Sequence, residues 1–186
     1  MSKPWHFIAN EAEIPSPALL IYRERAEANI LRMVEIAGSP DRLWPHVKTH
    51  KLAPLVKAQI DRGVTRFKCA TVAEAEMTAA AGASEVLLAM QPVGPAVHRL
   101  IELIRHFPRT AFSTIADSEP VILDLAAAAR ALSLEFSLWL DIDCGMGRTG
   151  VPAGNDAALL YRLIAQTKGL HPAGLHVYDG HLHEPD

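Results

Sequence analysis

Residues 45–51, PHVKTHK, set one lysine between two histidines. Strand-like alternation through this run puts Trp44, His46, Lys48 and His50 on one face. A lysine turned into a buried interior is disfavoured as a cation, because burial penalises charge. As a neutral amine it is a nucleophile that condenses with aldehydes to give imines. The same spacing also fits a solvated lysine at the rim. Lys51 falls on the opposite face, as an exposed lysine opening a helix. His46 and His50 are placed to tune an imine or touch a substrate, or to serve as hydrogen-bonded structural histidines. With a lysine between them, their spacing is a poor match to a zinc site, and no metal is assigned.

Two further segments carry reactive groups. Residues 143–150, DCGMGRTG, place three glycines and an arginine after a strand-like run. The glycines allow a sharp turn and close approach to a ligand. Arg148 offers fixed donors to an oxyanion, a phenolate or a carboxylate. Gly145, Gly147 and Gly150 match the spacing of a dinucleotide fingerprint, but no helix opens inside it and no acidic residue can be assigned to a ribose. The alternative is a glycine-rich loop with a surface arginine. Residues 176–183, HVYDGHLH, gather imidazoles and a phenol, a pattern shared by metal sites and by solvated histidines. Tyr178, on the inward face, is the candidate kept from this segment.

The elements that position these groups alternate between short β-like and longer helical runs. Residues 17–22 read as a strand and 25–37 as a helix closed by Gly38. Residues 43–50 read as a strand and 52–61 as its helix, stopped by Gly63. A strand follows at 65–70, and Thr71 with Glu74 forms a capping box for the next helix, which ends at Gly82. Strand–helix pairs continue at 85–90 and 96–106, at 110–115 and 119–132, and at 135–144 and 155–167, with a last strand at 174–178. This alternation implies parallel strands joined by crossover helices.

Face patterns choose between an open sheet and a barrel. Leu138, Leu140 and Ile142 share one face of their strand, Asp141 and Asp143 the other; His176 and Tyr178 lie opposite Leu175 and Val177. Open sheets covered by helices on both sides are apolar on both faces. A barrel instead turns one face of each strand to a shared interior, with the active site at its C-terminal mouth. The expected fold is therefore α/β, a parallel (β/α)8 TIM-type barrel with an extra N-terminal strand. A full barrel has eight units and about 250 residues, so about six strands in 186 residues read as one partial barrel domain, truncated.

Composition narrows the partners. The chain is 49% hydrophobic and 21% charged with a formal net charge of -3, which argues against a nucleic-acid surface. No run approaches the roughly 18 apolar residues of a membrane span, and no leader is evident. Cys69 and Cys144 are expected to stay reduced, and the expected location is cytoplasmic.

Taken together, these segments resemble the D-threonine aldolase and D-serine dehydratase-like family, related to the alanine racemase N-terminal barrel. PSPALLIY at 15–22 is similar to that family's entry strand and PHVKTHK to its cofactor-lysine motif. CATVAEAE at 69–76, DIDCGMGR at 141–148 and GLHVYDGH at 174–181 follow in the family's order. The resemblance implies pyridoxal 5'-phosphate, with Lys48 as the internal-aldimine lysine. Arg148 would contact the phenolic-oxygen side and Tyr178 would lie against or near the pyridine ring; His46, flanking Lys48 on the same face, is a further cofactor-binding candidate.

The implied activity is a lyase on D-amino acids, an aldolase or dehydratase. A racemase of the same fold, a non-catalytic cofactor-binding protein and an inactive fragment are the alternatives. Family members continue into further barrel strands with a Ser/Gly-rich phosphate-binding region, then a C-terminal β domain that supplies divalent-metal ligands in this branch. Neither part lies in this chain, and a homodimer is expected only of the full-length protein. Residues 1–186 alone are expected to be unstable or self-associating, and catalytically silent.

Overall fold

The computed structural model describes residues 4–183. Helix α1 (Arg23–Ala37) ends at Gly38, and α2 (Ala53–Ile60) begins with Pro54 in its first turn, where a missing amide costs nothing. Strand β1 (Arg66–Cys69) leads into α3 (Val72–Ala80), β2 (Glu85–Leu88) into α4 (Pro95–His106), and β3 (Ala111–Ala116) into α5 (Glu119–Ala131). Then come β4 (Phe136–Asp143), the two-residue β5 (Val151–Pro152), α6 (Asn155–Gln166) and β6 (Leu170–Val177). Every pairing is parallel, with β1, β2, β3 and β4 side by side in chain order and β6 next to β4. Ile142 pairs with Val151 on one side and Val177 on the other, so β5 continues the edge that β3 leaves.

The helices cover one face of this sheet. Phe67, Cys69, Val86 and Leu88 are buried with Val56, Ala75 and Leu100, while Phe136, Leu138, Leu140 and Ile142 are buried with Ile122, Leu125 and Ile164. The other face carries Lys68, Trp139, Asp141 and His176. This is the one-sided parallel arrangement of a partial barrel expected from the face pattern, open between β1 and β6.

Two expected strands do not form. Residues 17–22 pair with nothing in the sheet, and Leu19, Leu20 and Ile21 are exposed. In residues 43–50 only His46 makes a ladder contact, an isolated parallel bridge to Lys68. The chain then coils into a 3-10 turn, Val47–Thr49, whose end is fixed by the amides of His50 and Lys51 on the Val47 carbonyl. Strand composition was present in both segments, but a strand needs a neighbour, and neither has one along its length.

Candidate active site

Lys48 sits in that 3-10 turn at the C-terminal end of the sheet, exposed, so the burial expected of an inward strand position does not apply. Its backbone N–H donates to His46 Nδ1 at 3.2 Å, and its amine has no hydrogen-bond or ion-pair partner among the described residues. Partial burial and the charges of Lys48 and Lys68 push the His46 imidazole down to about 4. His46 is therefore neutral at pH 7, and because Nδ1 accepts, its proton resides on Nε2.

Burial acts on Lys68, the inward residue of β1 opposite Phe67 and Cys69. It lowers that ammonium's pKa, and Lys48 and Arg148 lower it further, while Asp141 opposes them. The Lys68 amine lies 5.8 Å from the centre of the Tyr178 ring and the Arg148 guanidinium 4.7 Å from it. Lys48, Lys68, Arg148, Asp141 and Tyr178 thus form one charged neighbourhood at the strand ends.

Adjacent strands supply a second pair. Register sets Asp141 of β4 opposite His176 of β6, and His176 Nδ1 meets Asp141 Oδ1 at 2.5 Å. Their side chains are 4% and 10% exposed, and Asp141 Oδ2, His176 Nε2 and Trp139 Nε1 are buried without partners. Buried polar atoms without partners are costly, and three on one interior face mark a place for polar ligand atoms. Asp141, His176 and Arg148 line a cavity of about 290 Å3 with Met90, Gln91 and Thr149. A larger groove, about 740 Å3, lies outside between α1 and α2 and holds none of these residues.

The glycine turn is built around Asp143, whose carboxylate accepts from the amides of Gly145 (2.9 Å) and Gly147 (3.0 Å). Those bonds hold its carboxyl below the usual range. A Cβ at Gly180 would lie 2.2 Å from the Tyr178 hydroxyl, so this glycine is what lets the phenol fold back against the chain. Tyr178 is 38% exposed. Cys144 donates its thiol to the Tyr178 carbonyl, and Cys69, buried, is pushed up to about 12, both as free thiols. Among the described residues no three His, Cys, Asp or Glu side chains gather as a metal group.

The sequence-based reading brought Lys48, His46, Arg148 and Tyr178 forward, and the structure sets them at one end of the sheet. It missed Lys68, although alternation through residues 65–70 already turns that lysine inward. It also missed the Asp141–His176 bond, because which strands are neighbours, and in what register, is not written in either strand alone.

The family described as alanine racemase, N-terminal domain, matches residues 21–186. D-threo-3-hydroxyaspartate dehydratase of Delftia sp. is 34% identical over 164 residues, 87% of this chain and 41% of that protein. 3-hydroxy-D-aspartate aldolase of Paracoccus denitrificans is 30% identical over 181 residues, 95% of this chain and 46% of that protein. The crystal structure of D-threonine aldolase from Filomicrobium marinum superposes with a TM-score of 0.84 at 32% identity, covering 91% of this chain and 46% of that one. The chain thus spans less than half the length of these relatives. With the family match running from residue 21 to the last residue and the same fold in a solved relative, the chain belongs to the alanine racemase N-terminal domain family.

Proposed function

We propose that this chain is the cofactor-bearing part of a pyridoxal 5'-phosphate-dependent lyase acting on D-amino acids with a β-hydroxyl group, of the D-threonine aldolase or D-serine dehydratase type. The observation that carries this reading is the Lys48 amine at the strand ends, unpaired among the described residues and grouped with two cations that share the Tyr178 ring. That donor set fits the group: an amine for the aldehyde, cations for the phenolic oxygen, and an aromatic face for the pyridine ring. Bound there, pyridoxal 5'-phosphate supplies an electron sink for negative charge at the substrate α-carbon.

The protein's own residues do the rest. Lys48 would hold the aldehyde, Arg148 would offer its planar donors to the phenolic oxygen, and Tyr178 would lie against or near the pyridine ring. His46, neutral with its proton on Nε2, is a hydrogen-bond donor that adds no charge beside Lys48. Asp141 fixes the His176 ring, leaving Nε2 to hold or receive a proton inside the cavity. The matched relatives are named aldolases and dehydratases, which favours the lyase over a racemase.

The test uses the full-length protein. Borohydride treatment of the loaded protein should attach pyridoxal to the peptide containing Lys48, and Lys48→Ala should remove the label together with aldehyde or ammonia release from D-threonine, D-serine and D-3-hydroxyaspartate. A label that stays in Lys48→Ala and disappears in Lys68→Ala would overturn the assignment.

A further inference from the structure

The residue that carries the aldehyde must itself be held, and its local structure is slight. Lys48 belongs to a single 3-10 turn tied to the sheet by one bridge, and Lys51 closes the turn with φ of 49°, a left-handed conformation unusual for a long side chain. Besides the His46 imidazole at its start, two side chains brace it. The Lys51 ammonium donates to the Lys48 carbonyl and lies 3.4 Å from Glu74 Oε1. Glu74, 5% exposed, accepts at Oε2 from the Ala70 amide (2.8 Å), where β1 passes into α3.

The Glu74 backbone is fixed in turn by the Thr71 hydroxyl at 3.1 Å. The carboxylate thus departs from a simple capping box, because it reaches Ala70 and Lys51 and not Thr71. An ion pair whose acid is buried gains little stability over a neutral pair of similar size. What a neutral pair would lack is a cationic donor directed at the backbone of Lys48.

We propose that Lys51 and Glu74 form a clamp that positions Lys48, making both positioning residues of the site. This rests on the reading of Lys48 as the cofactor lysine. Lys51 fixes the turn from the Lys48 side, and Glu74 anchors Lys51 to the end of β1, so the amine of Lys48 keeps a set place relative to Lys68 and Tyr178. Glu74 also offsets the Lys51 charge, which otherwise acts unopposed on His46 and His50.

The experiment compares Lys51→Met, Glu74→Gln, the double variant and Lys51→Arg in the full-length protein. Pyridoxal 5'-phosphate affinity is read from the yellow chromophore of the lysine-bound form, and thermal midpoints are measured without cofactor. Each single neutral variant should lose about tenfold or more in affinity, as expected when a reacting group is misplaced, and melt lower. The double variant should recover the melting point but not the affinity, and Lys51→Arg should recover part of it. Recovery of both quantities in the double variant, or unchanged affinity in all four, would overturn the clamp and leave the role of Lys48 standing. Retention of the lysine-bound chromophore by Lys48→Ala would remove that role, and the clamp's purpose with it.

Discussion

Arg148 follows the glycine turn and presents its guanidinium to the Tyr178 ring without an ion-pair partner among the described residues. A planar fork in that place does more than supply charge. In the full-length protein proposed above, Arg148→Lys should therefore lower kcat/KM by roughly tenfold and Arg148→Ala by about a hundredfold, with little change in melting point. Unchanged turnover in Arg148→Ala would withdraw its role. His46 makes a second prediction at this scale. Its pKa is about 4 when folded against an ordinary 6.5. Between those values the unfolded chain binds the extra proton, so stability rises with pH; this contribution is whole above about 6.5 and lost as pH falls toward 4. His50, lowered by burial, acts in the same direction. Denaturant titrations across that window should show a shallower pH slope in His46→Gln, and an unaltered slope would place the acid sensitivity elsewhere. The grouping of Lys48, His46, Arg148 and Tyr178 at one end of the sheet was legible from local motifs. Whether Lys48 is buried or solvated at the rim stayed open, because that depends on the turn that replaces the expected strand.

Gly150 sits where the glycine loop returns to the sheet, with φ of 96° and its amide donating to Asp117 Oδ2 at 3.0 Å. A Cβ there would lie 2.5 Å from the Asp143 amide nitrogen and 2.6 Å from the Ile142 carbonyl carbon, both backbone atoms that cannot step aside. Gly150→Ala should cost about 2–4 kcal/mol and detach β5, read as a lower urea midpoint. A loss under about 0.5 kcal/mol would mean the loop relaxes freely. Elements such as α1 and α3 were legible because their stops are local: Gly38 ends the first, and Thr71 caps the second. Segments 17–22 and 43–50 were misread for the opposite reason, since pairing depends on a distant neighbour. The two-residue β5 was invisible, being set by register with Ile142 and Asp143 and not by any pattern of its own.

The open sheet leaves β6 with Leu175 56% and Val177 50% exposed, beside an interior in which Trp139, Asp141 and His176 retain unpartnered polar atoms. Unpaired strand edges and bare apolar faces favour association. Residues 1–186 expressed alone should elute above their 20.2 kDa mass in gel filtration and release no aldehyde from D-threonine. A monodisperse monomer with a cooperative melt would contradict this. The strand order has a different consequence, for biosynthesis. Because β1, β2, β3, β4 and β6 lie side by side in the order they are encoded, each strand leaving the ribosome finds its template already in place. The polypeptide can be laid down as it is made, one layer on the last, and the reactive mouth is gathered only when His176 arrives to meet Asp141.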